Sequence, residues 1–254
     1  MAKVLVVVPF PMSDANRAQR RQQLEGVRLG PDIDFEFESV RLAPKNYVGQ
    51  DDMVLADVGI MEAGLGAQER GFDAVCIDTM SDSGVAALRA VLDIPVVGAG
   101  RSSMLMALML GERFSILSMW SHWRHLYSKT LKDLNMVGHC ASVRAIDIQP
   151  DNQSLLSGKE DEVFPLLAEA ARLCIEEDGA EVIVLGSTTM HQAHAYLCEH
   201  LEVPVINPGP LTYKLAEGML ALGLSHSRKA YPRSPAPKHQ VVRAMLDAAG
   251  EFEH

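Results

Sequence analysis

An α/β fold of two similar lobes, each built on a parallel sheet, is predicted by three features of the chain. First, the short apolar runs at Val4–Val8, Phe72–Thr79, Phe114–Met119 and Val182–Leu185 are nearly unbroken, as strands buried on both faces are. Second, helical stretches alternate with these runs and close at glycine, at Gly71, Gly179 and Gly223. Third, the chain repeats itself. Asp73–Thr79, a helix and then Ile94-Pro95-Val96-Val97 match Glu181–Ser187, a helix and then Val203-Pro204-Val205-Ile206. The spacing from Thr79 to Pro95 is 16 residues, and that from Ser187 to Pro204 is 17. A strand, a polar loop, a helix and a short strand, used twice, imply two Rossmann-like lobes related by a pseudo-two-fold axis, with a cleft between them. Residues 1–110 form the N-terminal lobe and 111–223 the C-terminal lobe, and the tail 224–254 packs back on the first.

The elements follow in order. Val4–Val8 is a strand broken by Pro9, and Ala15 to Leu24 is helical. Arg17, Arg20 and Arg21 read there as a solvated face, with the alternative that Arg17 or Arg20 leans toward a ligand carboxylate. Phe35 to Val40 alternates and is a partly exposed strand. Pro44 to Asp52 is a polar loop carrying Tyr47. A helix runs from Met53 to Gly71. After the strand 72–79 come Met80-Ser81-Asp82-Ser83-Gly84, the helix Val85–Leu92, a short strand at 94–98 and a Met-rich apolar helix, 101–110, whose methionines belong to the core. The second half continues with the strand 114–119, Trp120 to His125, a helix from Leu126 to Leu134, a strand from Ala141 to Ile148 and a polar loop at 150–159. The amphipathic helix 160–178 leads into Val182–Leu185. Leu211–Leu222 is helical, and the proline-rich tail ends in a short helix.

Composition narrows the function. Of 254 residues, 48% are hydrophobic and 22% charged, so there is ample chain for a core. The net charge of −10 argues against nucleic acid and anionic membrane surfaces. Cys76, Cys140, Cys174 and Cys198 form no CxxC pair, which fits a reducing cytoplasm. No apolar run reaches membrane-spanning length.

Ligands in α/β folds bind beyond the carboxyl ends of parallel strands. The repeat therefore points to two loops facing each other across the cleft: Thr79 with Ser81-Asp82-Ser83, and Ser187-Thr188-Thr189. Both precede helices, whose free amides and positive dipole end suit a carboxylate or imide oxygen. Simple N-capping by the same hydroxyls is the competing reading. Asp78, Asp82 and His191 are candidate acids and bases, and His is the natural shuttle near neutral pH. Ser118 and Trp120, after the strand 114–119, and Phe10 and Pro11, after the first strand, are candidate substrate contacts. His191 and His194 have the spacing of a shared metal site but no nearby carboxylate, so neither a metal nor an organic cofactor is expected.

Taken together, the chain resembles the aspartate/glutamate/hydantoin racemase superfamily, in its hydantoin racemase-like branch. The residues that carry the likeness are Pro9, Asp82, Gly84, Ile94–Gly98, Ala141–Ala145, Glu177–Ala180 with Val182–Gly186, Lys214–Glu217 and Leu222–Leu224. They span roughly 3–232. The resemblance implies two α/β lobes with the active site between them, no cofactor, a small anionic or imide substrate and a homo-oligomer. It also implies two cysteines, one on each side of the substrate's α-carbon. Those positions fall on Thr79 and Ser187, so both thiols are absent, and the family's Asn-Pro-Asn is replaced by Val8-Pro9-Phe10. Cys76, three residues before Thr79, reads as buried and structural. Hydroxyls are far weaker acids than thiols and cannot serve as free bases. Three readings stay open: an isomerase using other groups, a hydrolase or lyase with Ser187 as nucleophile or oxyanion donor, and a binder without turnover.

Overall fold

The computed structural model describes residues 1–151, 156, 158–236 and 238–250. Part of the polar loop expected at 150–159, and the end of the tail, lie outside the described residues. Two four-stranded sheets dominate. The first contains β1 (Ala2–Val8), β2 (Ile33–Ser39), β3 (Ala74–Ile77) and β4 (Val96–Gly98), and the second β5 (Phe114–Ser118), β6 (Cys140–Ala145), β7 (Val182–Leu185) and β8 (Val205–Ile206). Every pairing is parallel, and the strand orders are β2-β1-β3-β4 and β6-β5-β7-β8. The two sheets thus have one topology, repeated.

Burial explains the sequence pattern. β1, β3, β5 and β7 are central strands, and they are buried along nearly their whole lengths. β2 is an edge strand: Phe35 and Phe37 face the core while Asp34 and Glu36 face water. β6 is the edge of the second sheet, and all six of its residues are half-buried. Arg144 on β6 is tied to Asp178 and Glu177 at 2.6 Å each.

The helices are α1 (Asp14–Arg21), α2 (Gln50–Gly64), α3 (Val85–Val91), α4 (Ala99–Leu110), α5 (Arg124–Asp133), α6 (Glu160–Glu176), α7 (His194–His200), α8 (Pro208–Ala221) and α9 (His239–Gly250). Two of them cross over. Met104 and Ala107 of α4 pack into the core built on Phe114, Ile116 and Val182 of the second sheet. Tyr213 and Ala216 of α8 pack with Val4, Val6, Phe35 and Cys76 of the first. A division at 110/111 keeps each sheet whole but separates α4 and α8 from the sheets they cover. Within α4, Met104 is buried but Met109 is 77% exposed, so the methionines are only partly core. The tail lies against the first lobe: Arg228 and Arg233 reach Asp93, and Arg41 bonds Asp247 on α9 at 2.8 Å. Among the described residues, no helix is long and apolar enough to cross a membrane.

Candidate active site

The carboxyl ends of β3 and β7 meet. Thr188 Oγ1 donates to the carbonyl of Asp78 at 3.0 Å, joining the loop after one strand directly to the loop after the other. Around this junction lies a small, partly open cavity. Its walls come from the ends of both sheets: Pro9 and Phe10 after β1, Tyr47 after β2, Asp78 to Met80 after β3, Trp123 and Leu126 after β5, and Gly186 to Thr189 after β7. Arg20 completes it from α1.

The two hydroxyl loops are built alike. Thr79 Oγ1 and Ser81 Oγ share a hydrogen bond of 3.2 Å, and the Ser81 amide donates to Thr79 Oγ1 at 3.4 Å. Ser187 Oγ and Thr189 Oγ1 share one of 2.8 Å, and the Thr189 amide donates to Ser187 Oγ at 3.2 Å. The repeat read from the sequence extends to these hydrogen bonds. Ser187 also caps the short 3-10 helix Thr188–Ala193, so capping and exposure to the cavity coexist.

Of the residues singled out in the sequence, Thr79, Ser187, Thr188, Thr189 and Phe10 line the cavity, as do Asp78, Arg20 and Tyr47. Ser81, Ser83, Asp82, Ser118, Trp120, Pro11 and His191 stand outside the lining, each for an identifiable reason. Ser81 and Ser83 lie behind Thr79 in a chain of hydroxyls, with 3.0 Å between their oxygens. Asp82 sits at φ +52° and accepts from the amides of Gly100 at 2.8 Å and Arg101 at 2.6 Å, so it closes the start of α4. Burial raises its carboxyl to about 6 against the pull of those two amides. Ser118 donates to the Trp120 carbonyl at 3.2 Å and bonds Tyr127. Tyr127 in turn donates to the Gly186 carbonyl at 2.8 Å, so Ser118 supports the end of β7 from behind. Trp120 packs against His122 in a tilted pair with centroids 4.4 Å apart, and a 3-10 turn at Ser121–Trp123 brings Trp123 to the wall instead. Pro11 is exposed beside the lining.

His191 is not bonded to Ser187. Its Nδ1 is buried without a hydrogen-bond partner, and burial, with Arg20 nearby, lowers its pKa to about 4. It is a neutral imidazole near neutral pH. His194 bonds the Val205 carbonyl at 3.0 Å, and among the described residues no group of three or more metal-ligating side chains is assembled.

Asp78 and Arg20 carry the main surprise. The sequence leaves Arg20 between a solvated face and a lean toward a ligand; the structure buries it, 1% exposed. Its Nη1 donates to Asp78 Oδ2 at 2.9 Å and to Thr188 Oγ1 at 2.8 Å. Gln23 Nε2 approaches both carboxylate oxygens at 3.3 Å. Burial pushes the Asp78 carboxyl up, while Arg20, Gln23 and Thr188 pull it back down. Asp78 is therefore committed to a buried pair. Arg17 pairs with Asp14, and Arg21 with Asp34 and the Phe35 carbonyl. Tyr47 faces the cavity and donates to the Pro9 carbonyl at 3.0 Å. None of the four cysteines lines the cavity. Cys76 is on the far face of β3, with Sγ 3.8 Å from the Thr212 carbonyl, and burial raises its thiol strongly.

Comparison with known proteins agrees with this architecture. The family model for Asp/Glu/hydantoin racemases matches residues 18–216. A hydantoin racemase of Rhizobium meliloti is 30% identical over 208 residues, covering 78% of this chain and 83% of the relative. Another, from Paenarthrobacter aurescens, is 31% identical over 201 residues, with 78% and 83% covered. The structure of an allantoin racemase from Klebsiella pneumoniae superposes with a TM-score of 0.83 at 28% identity, covering 93% of this chain and 96% of that one. With its two parallel sheets of one topology, the chain belongs to the Asp/Glu/hydantoin racemase family and is an isomerase-type enzyme.

Proposed function

We propose that the protein is a cofactor-independent isomerase that inverts a carbon centre in a small hydantoin- or allantoin-like cyclic imide, bound between Thr79 and Ser187, without thiol chemistry. One observation carries this reading. Thr79 and Ser187 occupy equivalent places in the two halves, 1–110 and 111–223, and open on one cavity with no cysteine in its wall. The hydroxyls of Thr79, Ser187, Thr188 and Thr189 offer donors and acceptors that match the carbonyl and N–H groups of such a ring. An imide α-proton is already acidic, so less base strength is required than for a free amino acid. His191, neutral at working pH, stands buried in the turn that follows Ser187, and Asp82 acts indirectly by fixing the start of α4. The bonds of Ser187 to Thr189, with no imidazole attached, fit a positioned donor better than an activated nucleophile. The exposed Leu105, Met109 and Leu110 of α4 support a homo-oligomer, which sedimentation would register.

The test is exchange at the ring carbon of allantoin and of 5-substituted hydantoins in heavy water, followed by NMR alongside loss of optical rotation. The wild type should exchange deuterium, and Ser187→Ala or Thr79→Ala should slow it by about 10- to 100-fold. The double variant Thr79→Cys/Ser187→Cys should be faster than wild type, because thiols titrate far closer to neutrality than hydroxyls. Exchange no faster than the uncatalysed background over the whole panel would refute the proposal.

A further inference from the structure

Arg20 holds more donors than the protein gives it acceptors. Its Nη1 is shared between Asp78 and Thr188, but its Nε is buried with no partner. Close by, Gln23 Oε1 and Tyr213 OH are also buried and unpartnered, and both stand within 3.4 Å of where a Cβ on Gly209 would lie. A buried guanidinium is costly unless its N–H groups are satisfied, and a native fold that leaves donors over beside a cavity needs a reason. Among the described residues, Arg20 is the only cation that lines the cavity. The only anion among the described lining residues, Asp78, is already engaged by Arg20 and Gln23.

We propose that Arg20 is a substrate-contacting residue: its guanidinium holds the ring oxygen on which negative charge collects during the reaction. This rests on the isomerase reading above and assigns one of its parts. When the C–H bond breaks, its electron pair moves into the ring and onto the neighbouring carbonyl oxygen. The proton leaves to water on one face, and a proton returns from water on the other, so Arg20 takes no part in the proton transfer. A fixed cation at that oxygen lowers the demand for a strong base, which is the demand that the missing thiols leave unmet. Asp78 and Thr188 keep the guanidinium in place from the first and second lobes respectively, so the contact forms only when both lobes are correctly set.

The experiment uses two ring ligands of one size at neutral pH: imidazolidinetrione, which is ionised there, and hydantoin, which is neutral. Calorimetry on the wild-type protein should give at least about tenfold tighter binding of the anion, as a charge-assisted contact requires. Equal affinities, or a preference for hydantoin, would overturn the assignment with no variant needed. In Arg20→Lys, the charge beside Asp78 remains but the fork of donors is lost. The anion preference should vanish there while hydantoin affinity stays within about threefold, and kcat for deuterium exchange should fall about 100-fold with little change in KM. A variant that melts like wild type and keeps both the preference and kcat would also overturn it. Anion preference without any exchange would retain Arg20 as the anion contact and reject the isomerase reading instead.

Discussion

A carboxyl group buried against two backbone amides and an imidazole buried with one nitrogen unpartnered respond to pH in opposite directions, and Asp82 and His191 are such a pair. The folded-state pKa of Asp82 is raised from 3.8 to about 6 by burial. Its contribution is therefore complete below the lower value and is lost as pH rises through the upper one. His191 is lowered from 6.5 to about 4, so its contribution is complete above 6.5 and is lost as pH falls through 4. Melting curves across that range should separate them. Relative to wild type, Asp82→Asn should gain as pH rises from about 4 to 6, and His191→Gln should gain as pH falls from about 6.5 to 4. Single residues were also where the sequence was least legible. Arg20 shares a short helix with Arg17 and Arg21 and has no local mark of burial, because its partner Asp78 is 58 positions away. The places of Thr79 and Ser187 were legible because each stands two residues beyond a buried apolar strand, whereas Trp123 displaced Trp120 through a local turn that no periodicity announces.

At the scale of elements, the end of β7 is set by close contacts. A Cβ at Gly186 would lie 2.6 Å from the Tyr127 hydroxyl and 2.9 Å from the Leu117 carbonyl. Gly186→Ala should therefore destabilise the fold by about 1–3 kcal/mol, measured by urea unfolding, and displace Ser187 with it. Tyr127→Phe removes the hydroxyl that holds the Gly186 carbonyl, and a loss of about 1–2 kcal/mol is expected from the same measurement. The elements themselves could be read well: parallel strands buried on both faces leave continuous apolar runs, and Gly71, Gly179 and Gly223 all take positive φ where the helical stretches end. Boundaries were less legible. The helical stretch expected to reach Gly71 gives up its regular hydrogen bonds after Gly64, where Leu88 packs 2.7 Å from the position of a Cβ.

At the scale of the whole molecule, the buried pair of Arg20 and Asp78, with Thr188, ties the two sheets at the site. Asp78→Ala would leave the guanidinium without its counter-charge, and a loss of about 3–5 kcal/mol in unfolding free energy is expected. Thr188→Val should cost far less stability yet raise hydrogen exchange in the loops after both β3 and β7, since it removes the bond between them. The pseudo-symmetry was evident in the sequence, but the destinations of α4 and α8 were not. Both helices are apolar enough to fit either sheet, and only the path of the chain in space decides between them.

That exchange of helices bears on how the chain could be divided. A cut between Leu110 and Gly111 would release two fragments, each carrying a cover made for the other. Neither could shield its own sheet from water, so each alone should expose apolar surface and associate. Mixed, they should recover one cooperative melting transition rather than two.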